Sequence, residues 1–390
     1  LSPPRHSRLR RSNQVLDLLT SDRLQRFTQC LYIHTRMAGV ACHYRMVEGV
    51  EKPAPRDNEV QEAPRKKTEK DRLPTVNDEI QGDDRKYRLK QVLGDGGYGI
   101  VFLSDDGDKQ VAVKTEKYSK SMLHIEVGVL KAANAAKAKH FCELIDYGSN
   151  KPDYVYVVMT LLFKDLHKLR SEMPDRRFGI STSLRLSMQA LKAVEELHKI
   201  GYLSRDIKPG NFAPGQKCYK QSKIIFLYDF GLARKYMDKN GNVIPPRKDI
   251  GWRGTTRYGS LTAHQRQDLG RKDDLESWFY MSVEMTRGTL PWRLVTDRAA
   301  VQAAKVAARG AGRVQFLFET PKQFDQILNM VDSYTFESEP EYGKIYKILD
   351  EVREEKGIRM NEHWDWEDEA SHSTNTVTSY SDRELRAKKD

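Results

Sequence analysis

Between Leu203 and Asn211 the chain reads Leu-Ser-Arg-Asp-Ile-Lys-Pro-Gly-Asn, and Asp229-Phe-Gly231 follows after the β-rich run Lys223 to Tyr228. One short loop therefore carries a carboxylate at Asp206, an ammonium at Lys208 and a carboxamide at Asn211. A second carboxylate, Asp229, stands next but one to a glycine. These groups suit the transfer of a phosphoryl group from Mg-ATP to a hydroxyl. In that chemistry Asp206 accepts the hydroxyl proton, Lys208 steadies the γ-phosphate, and Asn211 and Asp229 hold Mg2+. Positioning and charge neutralisation do most of such work, so the four side chains must converge on one metal–phosphate cluster.

Upstream, Gly94-Asp-Gly96-Gly-Tyr-Gly99-Ile-Val101 fits the pattern G-x-G-x-x-G-x-V, with Leu93 just before it. Glycines let a strand-turn-strand segment close over phosphates and present N–H groups that a Cβ would block. Taken alone, a glycine-rich hairpin is often only a turn, and ahead of a helix the same pattern means a dinucleotide site. Here both flanks are strand-like, and Val111-Ala-Val-Lys114 follows at the distance of a third strand. A strand lysine is usually a solvated edge charge. Glu126, on a helix predicted to begin near Met122, gives Lys114 a partner that would hold it against the α- and β-phosphates. Leu93, Gly94, Gly96, Gly99, Val101 and Lys114 are accordingly candidate nucleotide-binding residues.

Elements must bring these pieces together. Alternating runs over Tyr87–Leu93, Ile100–Leu103, Gln110–Lys114, Phe141–Tyr147 and Tyr154–Met159 predict strands, with a helix over Leu123–Asn134 between them. After Leu161 helical spacing dominates, as in Leu184, Met188, Leu191, Val194 and Leu197 of the stretch Ser183–Lys199. Similar spacing recurs in Leu275–Thr286 and Lys322–Tyr334. The layout is α+β: a small β-rich lobe, then a larger helical lobe with the catalytic loops at its start. Residues 1–86 read as a basic extension that is Pro- and charge-rich toward its end and expected to be disordered. Residues 87–357 form the folded domain, and 358–390 a polar tail.

The chain has 390 residues, 38% hydrophobic and 31% charged, enough for one large domain with tails. Its net charge of +11 favours acidic partners, which could be nucleic acid, anionic membrane or acidic and phosphorylated protein. The four cysteines form no close pair and no metal-ligand spacing, as in reduced intracellular proteins. No apolar run reaches the roughly 18–20 residues of a membrane span. The expectation is a monomer in the cytoplasm, with the nucleus also open to it, acting on protein and not on nucleic acid.

Tyr87 to about Gly357 resembles a casein kinase 1 family protein kinase, most nearly the tau-tubulin kinase branch. The resemblance rests on Asn211-Phe-Ala213, Asp229-Phe-Gly-Leu-Ala-Arg234, Gly251-Trp-Arg-Gly-Thr-Thr-Arg-Tyr258, Gly270-Arg-Lys-Asp-Asp-Leu-Glu-Ser277 and Leu290-Pro-Trp292. Asp-x-Lys-x-x-Asn is the form found in serine/threonine-specific enzymes. The resemblance implies that Met159 is the gatekeeper and that Thr160 to Phe163 form the hinge, with Leu162 offering backbone bonds to adenine. It also implies that Ala112 and Ala213 sandwich the purine and that Asp274 braces the catalytic loop. Arg205, Lys235 and Arg257 match an anion site for acidic or already phosphorylated protein substrates, which Arg247, Lys248 and Arg253 could extend. Guanidinium groups suit phosphate because they bind it bidentately.

Four positions depart from the family pattern. Ser204 replaces the histidine that packs beneath Phe230, Tyr228 replaces a smaller Ile or Leu, Phe163 a hinge glycine and Gly259 an alanine. None removes a group that touches phosphate or metal. The first two are what an alternative reading stands on: an impaired pseudokinase that keeps the fold and acts as a binding or scaffold module.

Overall fold

Alternation with a period of two builds the first lobe of the computed structural model, which describes residues 70–96, 99–107, 109–248 and 250–367. Glu79–Gln81 (β1) and Lys86–Arg88 (β2) pair antiparallel. Gln91–Gly96 (β3), Gly99–Asp106 (β4), Lys109–Lys117 (β5), Leu144–Asn150 (β6) and Tyr154–Thr160 (β7) form one antiparallel sheet in the order β3-β4-β5-β7-β6. Val111, Val113, Tyr156 and Val158 point to one face, where they pack with Phe102, Ile80, Tyr87 and Leu89. Residues one step out of phase point to the other face. Ala112 thus lies opposite Met159, and Lys114 opposite Val101 and Val157. The helix α1 (Leu123–Ala135) covers that face with Leu123, Glu126, Leu130 and Ala133, a spacing of three and four that puts a carboxylate on its inner side.

The second lobe contains α2 (Leu166–Glu172), α3 (Ile180–Lys199), α4 (Leu261–His264), α5 (Arg271–Arg287), α6 (Arg298–Ala307), α7 (Arg313–Phe316), α8 (Phe324–Ser333) and α9 (Tyr342–Glu355). Tyr202–Leu203 (β8) pairs with Arg234–Lys235 (β11), and Phe212–Pro214 (β9) with Ile225–Leu227 (β10). These two short ladders frame the catalytic loop. α5 is buried from Asp273 to Thr286, so neighbours cover every side and no single apolar stripe is needed. The two-lobed α+β architecture expected from the sequence is the one that forms.

Folding extends beyond both expected domain boundaries. Residues 70–86, expected within the extension, include β1, and Ile80 packs against Tyr87 and Leu89 in the small lobe's core. Residues before 70 lie outside the described residues. At the other end, Trp364 is fully buried, with the Arg185 guanidinium 4.3 Å from its ring centroid. Arg185 in turn donates to the carbonyls of Glu362 and His363, both at 2.7 Å. Gly179 has no side chain with which to cap α3, and Asp365 does so from afar: its Oδ2 accepts from Gly179 N at 2.6 Å and its Oδ1 from Thr182 Oγ1 at 2.7 Å. Composition made residues 358–367 look like tail because their contribution is made by a few large side chains rather than by periodicity.

Candidate active site

Lys114 leaves β5 on the cleft side, and its Nζ lies 2.7 Å from Glu126 Oε2 and 3.0 Å from Asp229 Oδ1. Two partners come from the small lobe and the third from the segment after β10, so the pairing ties the lobes across the cleft. Burial works against the Lys114 charge, but Glu126 and Asp229 outweigh it and hold the ammonium above the usual lysine range. Burial lifts Asp229, but the Lys114 charge and hydrogen bond, together with the Lys208 charge and the Gly231 N–H, more than reverse that and leave this carboxyl below its ordinary value. Asp229 is therefore an anion at neutral pH, ready for a cation.

The catalytic loop is built on a buried carboxylate. Asp274, in the first turn of α5, accepts from Ser204 N at 2.7 Å and Arg205 N at 2.8 Å, and lies 3.0 Å from His198 Nε2. Those bonds hold the backbone as it turns through Arg205 at φ 64°, a left-handed conformation that non-glycine residues seldom adopt. Asp206 follows with both oxygens engaged. Oδ2 accepts from Lys208 Nζ at 2.6 Å and Oδ1 from Thr255 Oγ1 at 2.9 Å. Asn211 Nδ2 donates to the Asp206 carbonyl at 2.8 Å. Gly254, at φ 89°, passes so close that a Cβ there would stand 2.8 Å from the Arg205 carbonyl oxygen. That contact is why Thr255 can reach Asp206, and nothing in the local sequence announced it.

Phe230 is buried and stacks on Phe141 with ring centroids 5.5 Å apart. The loss of a histidine at Ser204 has therefore not turned Phe230 outward. Phe141 is the supporting residue that sequence reasoning missed. It was assigned to a strand, whereas β6 begins at Leu144, and Phe141 instead makes an isolated bridge to Leu227 that sets its ring beside Phe230.

The candidate nucleotide residues line up along the cleft. Val101, Ala112, Lys114 and Met159 share one sheet face through the pairings given above. Ala213 is buried in β9, and the hinge is sewn to it: Leu162 bridges Gly215, its carbonyl accepts from Gln216 Nε2 at 2.8 Å, and Phe163 N donates to the Pro214 carbonyl at 2.9 Å. Leu93 lies at a break in register between Val92 and Gly94, with the exposed Gly94 and Gly96 after it. A Cβ on Gly99 would meet the Thr115 carbonyl oxygen at 1.8 Å, so its glycine is required by the sheet, whereas a Cβ on Gly94 would meet nothing within 4 Å. A carboxamide and an ionised carboxylate beside an open glycine hairpin and a paired lysine fit a nucleotide triphosphate with Mg2+, which keeps several waters and takes few protein ligands. Asn211 and Asp229 would hold that ion. When bound, it neutralises charge on the phosphate oxygens.

A protein kinase domain model matches residues 87–355. The chain belongs to the protein kinase family. It is 35% identical over 286 residues to a probable serine/threonine-protein kinase of Dictyostelium discoideum, covering 72% of this chain and 56% of that one. It is 33% identical over 298 residues to serine/threonine-protein kinase spe-6 of Caenorhabditis elegans, covering 74% of this chain and 77% of the relative. The chain thus spans little more than half of the Dictyostelium relative. Its domain is of the serine/threonine type, in a family that uses ATP.

The three cations expected to share one anion site each have a different partner in this chain. Arg257 lines a groove of about 640 Å³ with Lys208 and Trp292, and its guanidinium is 3.3 Å from Glu284. Lys235 is exposed, its ammonium 5.7 Å from the centre of the Tyr202 ring. Arg205 donates through Nε to the Leu232 carbonyl at 2.8 Å. Burial, then the charges of Arg253, Arg247 and Arg234, push it down to about 10. Asp268 offsets part of this charge, pairing with Arg247 at 3.0 Å and with Arg234 at 2.5 Å. The cationic cluster is therefore Arg205 with Arg253, Arg247 and Arg234. Arg257 is absent because the buried Glu284 holds it on the groove side.

One buried cation positions the segment between. Lys305 of α6 is fully buried and donates to the carbonyls of Thr256 at 2.9 Å and Gly259 at 2.5 Å, with His264 Nε2 3.2 Å away. It went unremarked in the sequence, although a lysine one turn after Val301, on the inward face of an otherwise alanine-rich helix, was a legible signal. Burial, then Lys305 and Arg298, push His264 down to about 4. With its folded value below the unfolded value of about 6.5, the unfolded chain binds the proton first, so stability falls as pH drops from about 6.5 to about 4. Lys305, pushed down to about 7 by burial, finishes charging at the top of this window and contributes little below about pH 6. His264→Gln should lose roughly 1–2 kcal/mol less than the parent between pH 7 and 5, allowing for partial exposure. Denaturant midpoints at the two pH values measure this; identical losses would remove His264 from the account.

Proposed function

We propose that this chain is an active serine/threonine protein kinase of the casein kinase 1 type, nearest in its motifs to the tau-tubulin kinase branch, that phosphorylates acidic or already phosphorylated proteins. The observation that carries the reading is the joined set of contacts Glu126–Lys114–Asp229 and Lys208–Asp206–Thr255, with Phe230 packed inward. The two sets belong to segments tied by Tyr228 N, which donates to the Asn211 carbonyl at 3.0 Å, and together they supply the side chains that phosphoryl transfer requires. Asp206 takes the proton of the substrate hydroxyl. Lys208, 2.6 Å from it, is placed to meet the charge that develops as that oxygen attacks. Thr255 fixes the carboxylate's other oxygen, so the base is aimed before substrate arrives.

The substrate preference rests on the guanidinium cluster at Arg205 and Arg253, the first of which directly precedes the proton acceptor in the chain. Phosphate or carboxylate on a substrate would compensate charge that Asp268 leaves unbalanced. Label from γ-labelled ATP should pass to casein in the presence of Mg2+ and not after chelation. With paired peptides, Arg253→Glu should lower kcat/KM about tenfold on the phosphorylated form and by less than about threefold on the plain form. No transfer in Mg2+ would dismiss catalysis, while equal losses on both peptides would dismiss only the preference.

A second reading has one observation behind it. Tyr228 Oη donates to the Gly210 carbonyl at 2.7 Å, inside the nucleotide cleft. A chain that fills its own cleft could serve as a binding module instead, and the casein experiment separates the two.

A further inference from the structure

One group on the cleft floor has no task in phosphoryl transfer. Tyr228 directly precedes Asp229, and its N donates to the Asn211 carbonyl at 3.0 Å. Its ring is only partly buried, and it packs against the main core from the cleft side. The hydroxyl is bonded to the Gly210 carbonyl of the catalytic loop at 2.7 Å. Burial, then the negative charges of Asp165 and Asp229, push this phenol above its usual range, with Lys114 opposing. Asp165 belongs to the segment just after the hinge, where its Oδ1 caps α2 by accepting from Lys168 N at 2.9 Å. The phenol is thus held on the catalytic loop, from a residue that directly precedes the Asp229 partner of Lys114.

That is the stretch a nucleotide's sugar has to cross. With the base at Leu162, between Ala112 and Ala213, and the phosphates at Lys114, as the ATP reading has them, the sugar falls between the two. Sugar hydroxyls withdrawn from water need protein acceptors. The Gly210 carbonyl is such an acceptor, and the chain's own phenol is already on it.

We propose that Tyr228 gates the nucleotide site: its phenol stands in the sugar subsite as a built-in substitute for a ribose hydroxyl, and a nucleotide binds by displacing it from the Gly210 carbonyl. This rests on the reading of the cleft as an ATP site. The gate weakens nucleotide binding without touching a phosphate or metal ligand, because the bond given up by the protein offsets the one the sugar makes.

Calorimetric titration of the full chain tests it, with Mg-ADP and with adenine as ligands. Tyr228→Leu, which removes ring and hydroxyl, should bind Mg-ADP roughly fivefold to tenfold more tightly than the parent. Tyr228→Phe, which keeps the ring, should fall between them. Adenine does not reach the sugar subsite and should bind all three proteins equally, within about twofold. Unliganded melting curves that stay together show that both variants remain folded. Mg-ADP affinity unchanged or weakened in both variants overturns the gate while leaving the ATP reading intact. An equal gain for adenine also overturns it, since the ring would then merely crowd the base. Failure of all three proteins to bind Mg-ADP overturns both.

Discussion

Asp206→Asn should lower kcat for peptide phosphorylation by about 10²–10⁴ while leaving the Kd for Mg-ADP within about twofold. The amide has the carboxylate's shape and can still accept from Thr255, whose Oγ1 lies 2.9 Å from Oδ1. It cannot take a proton from the substrate hydroxyl, and it places a second donor against the Lys208 ammonium, which now sits 2.6 Å from Oδ2. Nucleotide affinity is expected to survive because the phosphate-side groups, Lys114 and Asp229, are anchored to each other and to Glu126 rather than to Asp206. Steady-state kinetics with a labelled peptide, set beside calorimetric binding of Mg-ADP, gives both numbers. A variant within tenfold of the parent rate would mean that Asp206 is not the proton acceptor. Parallel losses of rate and ADP binding would mean that the loop itself had collapsed.

The second large effect is structural in origin. Asp274→Ala should destabilise the domain by about 3–5 kcal/mol, a fall in melting temperature of roughly 5–15 °C, and should abolish measurable phosphotransfer. Its carboxylate is buried and takes two backbone N–H groups, from Ser204 and Arg205, with His198 Nε2 at 3.0 Å beside them. Removing it strands these groups away from water and releases Arg205 from its left-handed φ of 64°. Asp274→Asn distinguishes the two consequences. The carboxamide keeps the volume and one acceptor, so it should recover more than half of the lost stability. It should recover much less of the activity, because one of the two N–H bonds that shape the loop is still missing. Calorimetric melting and peptide kinetics on both variants supply the comparison. Near-parent stability in Asp274→Ala would show that the loop holds its shape by other means.

Much of the cleft was legible because its chemistry depends on local spacing. Asp206, Lys208 and Asn211 share one loop, and Lys114 sits on a strand whose alternation fixes the face it points to. Glu126 was findable because it falls in step with Leu123, Leu130 and Ala133 on the inner side of α1. Residues recruited from a distance were not findable this way. Phe141 meets Phe230 only because its segment crosses beside β10, and Thr255 meets Asp206 only because Gly254 permits a close approach to Arg205. The anion cluster shows the same limit. Sequence identified the right type of side chain at Arg205, Arg247, Arg253 and Arg257, but charge carries no direction, and it took the buried Glu284 to hold Arg257 in the groove with Lys208 and Trp292.

Sequence alone thus determined the kinase family and the two-lobed architecture and singled out four polar side chains for the cleft, since spacing and periodicity are properties of short segments. Tertiary structure decided what those segments lean on: Asp274 beneath the catalytic loop, Lys305 beneath the loop from Thr256 to Gly259, Asp365 capping α3 from 183 residues beyond Thr182. It also decided that Tyr228, read from sequence only as a bulky neighbour of Asp229, turns its hydroxyl to the Gly210 carbonyl. Each of those is a buried polar group finding the one partner that burial demands, and that partner is chosen by the packed fold, which a short stretch of chain does not contain.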